Sequence, residues 1–139
     1  MKFTLNSFAL READTIDADH EARIKKLPLD FPDLWLDWFR ERLARHEIHL
    51  STVLHQGRPI GTLIWRVEND AGRELVLMAA ASSDPHVAIH EFLAEAVDGL
   101  AAAEKCRSAR YHTTRPALVL YGHKHDWQTS EIVLRKYYG

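Results

Sequence analysis

The sequence predicts a single α/β domain: a mixed sheet of about six strands, an antiparallel meander plus one parallel crossover, flanked by about four helices. Three observations predict it. Residues 75–81 (Leu-Val-Leu-Met-Ala-Ala-Ala) are too few to span a membrane and too uniformly apolar for a half-exposed strand, so they read as a central strand covered on both faces. A polar break, Ser82-Ser83-Asp84-Pro85, follows, and then Ile89, Phe92, Leu93, Ala96, Val97, Leu100 and Ala103 recur at helical spacing, forming one buried face. Upstream, two alternating stretches form a hairpin that feeds this strand, and the long helix then returns the chain to a parallel neighbour.

In chain order, residues 2–10 alternate loosely through Phe3 and Leu5 and suit a first edge strand. Residues 14–27 carry a thin stripe, Ile16, His20, Ile24 and Leu27, on an otherwise charged surface helix that Pro28 limits. Asp30 offers an N-cap with Pro32 in the first turn, and Leu34, Trp35, Trp38, Phe39 and Leu43 give the second helix a wide apolar face. Ile48, Leu50, Thr52 and Leu54 alternate with polar neighbours, Gln56-Gly57-Arg58-Pro59 makes a loop of about four residues, and Leu63, Trp65 and Val67 share one face of the return strand. Asn69-Asp70-Ala71-Gly72 turns into the apolar strand. After the long helix, residues 109–113 are strand-like, Thr114 caps a helix opening at Arg115-Pro116, and residues 127–138 close the chain as a last strand through Ile132, Leu134 and Tyr137.

Composition narrows the function classes. The 139 residues, 46% of them hydrophobic, suit one domain over residues 1–139, and a formal net charge of −2 gives no general pull toward nucleic acid. The single cysteine, Cys106, excludes an internal disulfide, and with no apolar leader the expected location is cytoplasmic, with no membrane span. Nine histidines invite a metal hypothesis: His86 and His90 stand four apart, and His123-Lys124-His125 lies further on. They lack the glutamate and third ligand of a zinc motif, so no metal is expected.

The element order and three local features resemble the Gcn5-related N-acetyltransferase superfamily over almost the whole chain. Residues 56–64 (Gln-Gly-Arg-Pro-Ile-Gly-Thr-Leu-Ile) resemble its turn and following strand; residues 75–100 occupy the place of its acetyl-coenzyme A unit; and residues 114–121 (Thr-Arg-Pro-Ala-Leu-Val-Leu-Tyr) resemble its late helix, with Thr114 replacing the usual asparagine. The resemblance puts the cofactor site at Ala79, Ala81, Asp84, Val87, Ala88 and Ile89, and makes Tyr121 the acid that would protonate the leaving thiolate. A base would come from Glu68, Glu74 or a nearby histidine.

The phosphate loop departs from the superfamily pattern R/Q-x-x-G-x-G/A. Asp84 stands at its leading position, Val87 and Ile89 stand where glycines belong, and no glycine lies between Arg73 and Asp98. Bulky residues crowd an amide cradle, and a capping aspartate both satisfies the helix's orphan amides and repels a polyphosphate. The expected function is therefore a fold kept as a binding or structural component without the usual cofactor, similar to degenerate members encoded by tailed bacteriophages, some located in the virion. The alternative is an active acetyl-coenzyme A-dependent N-acyltransferase with a non-standard loop. Four tryptophans and four tyrosines supply anchors for a protein partner or for self-association.

Overall fold

The computed structural model describes residues 3–5, 8–84, 90–112, 122–124, 126–130 and 133–138. Its six-stranded sheet runs in sequence order: β1 (Phe3–Leu5), β2 (Phe8–Ala13), β3 (His49–His55), β4 (Arg58–Glu68), β5 (Glu74–Ser82) and β6 (Ser108–Tyr111). The first four pairings are antiparallel and the last, β5 with β6, is parallel. Helices α1 (Ala18–Lys25) and α2 (Pro32–Ala44) connect β2 to β3, and α3 (His90–Ala103) is the crossover from β5 to β6. This is the expected mixed sheet, assembled from partly different strands.

Two apolar cores lie on the sheet's two faces. Leu63, Trp65 and Leu75 pack with Phe92, Ala96, Val97 and Leu100 of α3. Leu50, Ile64 and Ala79 pack with Ile24 of α1 and with Leu36, Phe39 and Leu43 of α2. Alternation along β4 sends Leu63 and Trp65 to one core and Ile64 to the other. The α3 stripe read from the sequence is the stripe that packs.

Several expectations are corrected. The first edge strand is a hairpin, β1 with β2, in which β2 extends to Ala13 and pairs with β3. The β3–β4 connection is the two-residue turn Gln56-Gly57, both at positive φ (51° and 77°), so Arg58 and Pro59 belong to β4. Phe31 caps α2 in place of Asp30, because Pro32 starts the helix and leaves only its immediate predecessor in the cap position. Leu34 is exposed, whereas Leu36 is buried beside Phe39 and Leu43; with apolar residues around most of α2, packing chose the face. β5 lies next to the edge, and only its first half is covered on both faces. Where the last strand is expected, the described residues 127–130 and 133–138 carry no regular structure; alternation needs a ladder partner to become a strand. The expected late helix, residues 114–121 with Thr114 and Tyr121, lies outside the described residues; residues 122–124, just beyond it, are helical.

Candidate functional site

The candidate site lies where β6 stops pairing with β5. β6 accompanies β5 only from Glu74↔Ser108 to Leu77↔Tyr111, while β5 continues to Ser82. On its other side β5 stays paired with β4, but Ile64 faces Ala79 and Trp65 faces Leu77, so Met78 is the extra residue of a bulge. A bulge bends and twists the strand that carries it, and this one falls where β6 ends. Among the described residues no strand covers the outer edge of residues 78–82. Ala79, Ala80, Ala81 and Ser82 give it small side chains, which suits an extended ligand that adds as a strand.

The exit of β5 is pinned by a second bulge. Val53 faces Gly61 and Leu54 faces Pro59, leaving Ile60 as the extra residue of β4. Its carbonyl accepts from the Ser83 amide at 2.8 Å and the Ser83 hydroxyl at 3.1 Å. Gly61 permits the close approach: a Cβ there would lie 2.8 Å from Val53 Cβ and 3.2 Å from the Ala81 carbonyl oxygen. The Ser82 hydroxyl accepts from the Asp84 amide and donates to the Asp84 carbonyl, each at 3.2 Å, closing a tight turn at the end of β5.

A buried polar cluster under α1 reaches the same point. Asp17 caps α1 by accepting from the His20 amide at 2.9 Å, which sets the helix's rotation. His20, 2% exposed, then places Nδ1 2.6 Å from the Thr62 hydroxyl and Nε2 3.0 Å from the Thr52 hydroxyl. Burial holds its pKa below the usual histidine value; the Asp17 charge opposes this and Arg23 reinforces it. A neutral ring with its proton on Nε2 suits these partners, donating to Thr52 and accepting from Thr62. One turn on, Arg23 is 4% exposed. It donates to the Pro59 carbonyl at 3.1 Å, the Gly61 carbonyl at 3.4 Å and the Ser83 hydroxyl at 3.3 Å. These hydrogen-bond partners are neutral, and through them this buried cation bolts α1 to the β4 bulge and the β5 exit.

The expected site residues divide. Ala79, Ala81 and Asp84 come together along the open edge and its mouth. Val87, Ala88, Ile89 and Tyr121 lie outside the described residues, as do the side chains of His86 and His90. Glu68 and Glu74 sit at the opposite end of β5, ~26 Å along the strand from Ser82. Both are bound to Arg110, at 2.8 Å for Glu68. Burial pushes the Glu68 carboxyl up, but the Arg110 hydrogen bond and charge, helped by Arg66, hold it below the usual range. An ion-paired carboxylate that distant is not the base of this cleft.

Sequence reasoning missed Met78, Arg23 and Tyr111. Tyr111 marks the fork where β6 leaves β5; its ring meets Trp127 edge-on at 4.8 Å, and burial raises its pKa. A Cβ on Gly122 would stand 2.6 Å from its hydroxyl, so the glycine admits the phenol. Among the described residues no group of three histidine, cysteine or acidic side chains could hold a metal ion, and no helix is long and apolar enough to cross a membrane.

No protein-family profile matches the chain, and no curated protein matches its sequence. Solved structures do match. An aminoglycoside acetyltransferase, AAC(6')-Iy, in complex with a bisubstrate analogue of coenzyme A superimposes with a TM-score of 0.70 at 15% identity, over 95% of this chain and 98% of that one. A Gcn5-related N-acetyltransferase from Ralstonia eutropha matches with a TM-score of 0.70 at 16% identity, over 95% and 99%. A predicted acetyltransferase from Clostridium acetobutylicum with acetyl-coenzyme A matches with a TM-score of 0.67 at 15% identity, over 94% and 96%. The fold is that of the Gcn5-related N-acetyltransferases. At these identities the likeness concerns the fold alone. Within the GNAT fold, the forked β5–β6 pair is this chain's candidate cleft.

Proposed function

We propose that this chain keeps the GNAT fold but does not capture the diphosphate of coenzyme A, and acts as a binding or structural component. One observation carries the reading: Asp84, whose main chain Ser82 holds at the exit of β5, stands in a stretch with no glycine between Arg73 and Asp98. The open edge of residues 78–82 suits an extended pantetheine arm. The mouth does not suit a diphosphate, because a carboxylate a few ångströms from it costs roughly 1 to 4 kcal/mol through like-charge repulsion. No catalytic step is derived, since Glu68 and Glu74 are tied to Arg110 far from the opening. The setting that fits a filled phosphate loop is a phage-encoded protein, in the cytoplasm or the virion, with another protein or a second copy as partner; the neighbouring genes test that setting.

A second reading, an N-acyltransferase using acetyl-coenzyme A with Tyr121 as acid, is favoured by the Met78 bulge and by β5 running on past the end of β6. The two are separated by incubating the protein with acetyl-coenzyme A and a panel of primary amines while following thiol release. The expected result is no release above the protein-free rate. Turnover in the ordinary enzymatic range, about 1 s⁻¹ or faster, would replace our reading with the second.

A further inference from the structure

The face that α1 turns to the sheet is mostly polar. Its buried residues are His20, Arg23 and Ile24, and of these only Ile24 belongs to an apolar core. Its ion pairs with α2, Arg40 to Glu21 and Lys25 to Asp33, are exposed and contribute little. The short helix therefore rests on the His20–Arg23 cluster, whereas Leu63, Trp65 and Leu75 pack against α3 on the opposite face without it. The same cluster fastens the β5 exit, because Arg23 donates to the Pro59 and Gly61 carbonyls and to the Ser83 hydroxyl.

This geometry accepts one protonation state. Nδ1 of His20 meets the Thr62 hydroxyl at 2.6 Å and an Arg23 nitrogen at 3.5 Å; a guanidinium only donates, so Nδ1 accepts. A proton added there points at the guanidinium's own protons and reverses the Thr62 bond. It also sets two cations side by side where His20 is 2% and Arg23 4% exposed. Asp17 and Asp19 of α1 favour that proton, while Arg23 of α1 and Arg11 of β2, paired with Thr52, oppose it. β3 and β4 bring only the neutral Thr52 and Thr62 hydroxyls to the ring, and β5 reaches the cluster through the Ser83 hydroxyl.

We propose that His20 is an acid-triggered latch: its protonation lifts α1 from the sheet and frees the β5 exit while the β3–β4 ladder stays folded. The opened form lets water solvate the ring and the guanidinium, so that form takes up the proton. The inference stands whether or not the cleft binds coenzyme A.

Hydrogen exchange of the full chain, read residue by residue by NMR, tests this. The amides of residues 21–25 and of Ser83, which donates to the Ile60 carbonyl, should lose about tenfold in protection between about pH 7.5 and about pH 5.5. A released histidine with the ordinary value of 6.5 takes up its proton in that span. At the lower pH these amides should exchange at least about tenfold faster than those of the β3–β4 ladder. His20→Gln carries no titratable proton and should abolish the pH dependence. If that variant does not fold, the wild-type ring nitrogens give the same reading, passing from the Nε2–H tautomer to the cation in step with α1 exchange. Protection of α1 that equals that of β3–β4, or does not change with pH, would overturn the latch. A folded His20→Gln protein with the wild-type pH dependence would overturn it equally.

Discussion

Replacing His20 with leucine isolates the polar cluster that ties α1 to the cleft. The substitution keeps approximate volume but removes ring contacts to the Thr62 hydroxyl at 2.6 Å and the Thr52 hydroxyl at 3.0 Å. Two neutral hydrogen bonds contribute about 1 kcal/mol each, and a buried hydroxyl stranded without a partner adds about 1 kcal/mol or more. Thr62 keeps a longer contact from Arg23 at 3.4 Å, so Thr52 is the stranded group. The expected loss is therefore roughly 2 to 4 kcal/mol, or roughly 5 to 15 °C in Tm for a domain of this size. The pH dependence has a definite sign. His20 is held below its ordinary value of 6.5 by burial, so the folded state prefers the neutral ring. Its contribution is fully present above pH 6.5 and is lost as pH falls through the folded-state pKa. Guanidinium unfolding of both proteins at stepped pH should show a large gap under mildly alkaline conditions that narrows on acidification. A gap below about 1 kcal/mol at high pH, or one that stays constant with pH, would refute the assignment of a neutral, doubly bonded His20.

Other predictions follow the same geometry. Gly61→Ala puts a methyl group 3.2 Å from the Ala81 carbonyl and closer still to Val53, and should destabilise by about 1 to 3 kcal/mol in thermal unfolding. Arg110→Met strands Glu68 and Glu74; the loss should be about 1 to 3 kcal/mol at neutral pH and fade as pH falls below 4.5, because Glu68 is held below that value in the folded state. Phe31→Gly relieves a left-handed backbone and should raise stability by about 1 kcal/mol in thermal unfolding. Asp84→Gly with Val87→Gly should create measurable coenzyme A binding in calorimetry; no gain would count against the proposed reading of this loop.

What the sequence revealed and what it concealed have different physical causes. The meander, the crossover and the α3 face were legible because period-two and 3.6-residue patterns are local, and Phe92, Ala96, Val97 and Leu100 pack as their spacing requires. The lack of glycine around Asp84 was legible directly in the sequence. The Met78 and Ile60 bulges were not, since a bulge exists only in the register between two strands, and that register is set by the whole sheet. Arg23 sat among the charged residues of α1, and its burial comes from neutral carbonyls more than thirty residues away. Alternation through Leu134 suggested a final strand, yet β6 is only four residues long, and the segment runs instead to Asp30. Phe31 replaced Asp30 as the cap because a proline one position later decides where α2 begins.

The most direct measurement compares two ligands by isothermal titration: acetyl-coenzyme A, and S-acetylpantetheine, which lacks the diphosphate and nucleotide. A cleft with an open β5 edge and an acidic mouth should hold the larger ligand no more tightly than the smaller, and neither below about 100 μM. Acetyl-coenzyme A binding below that concentration, and at least about tenfold tighter than acetylpantetheine, would show that the diphosphate is captured after all.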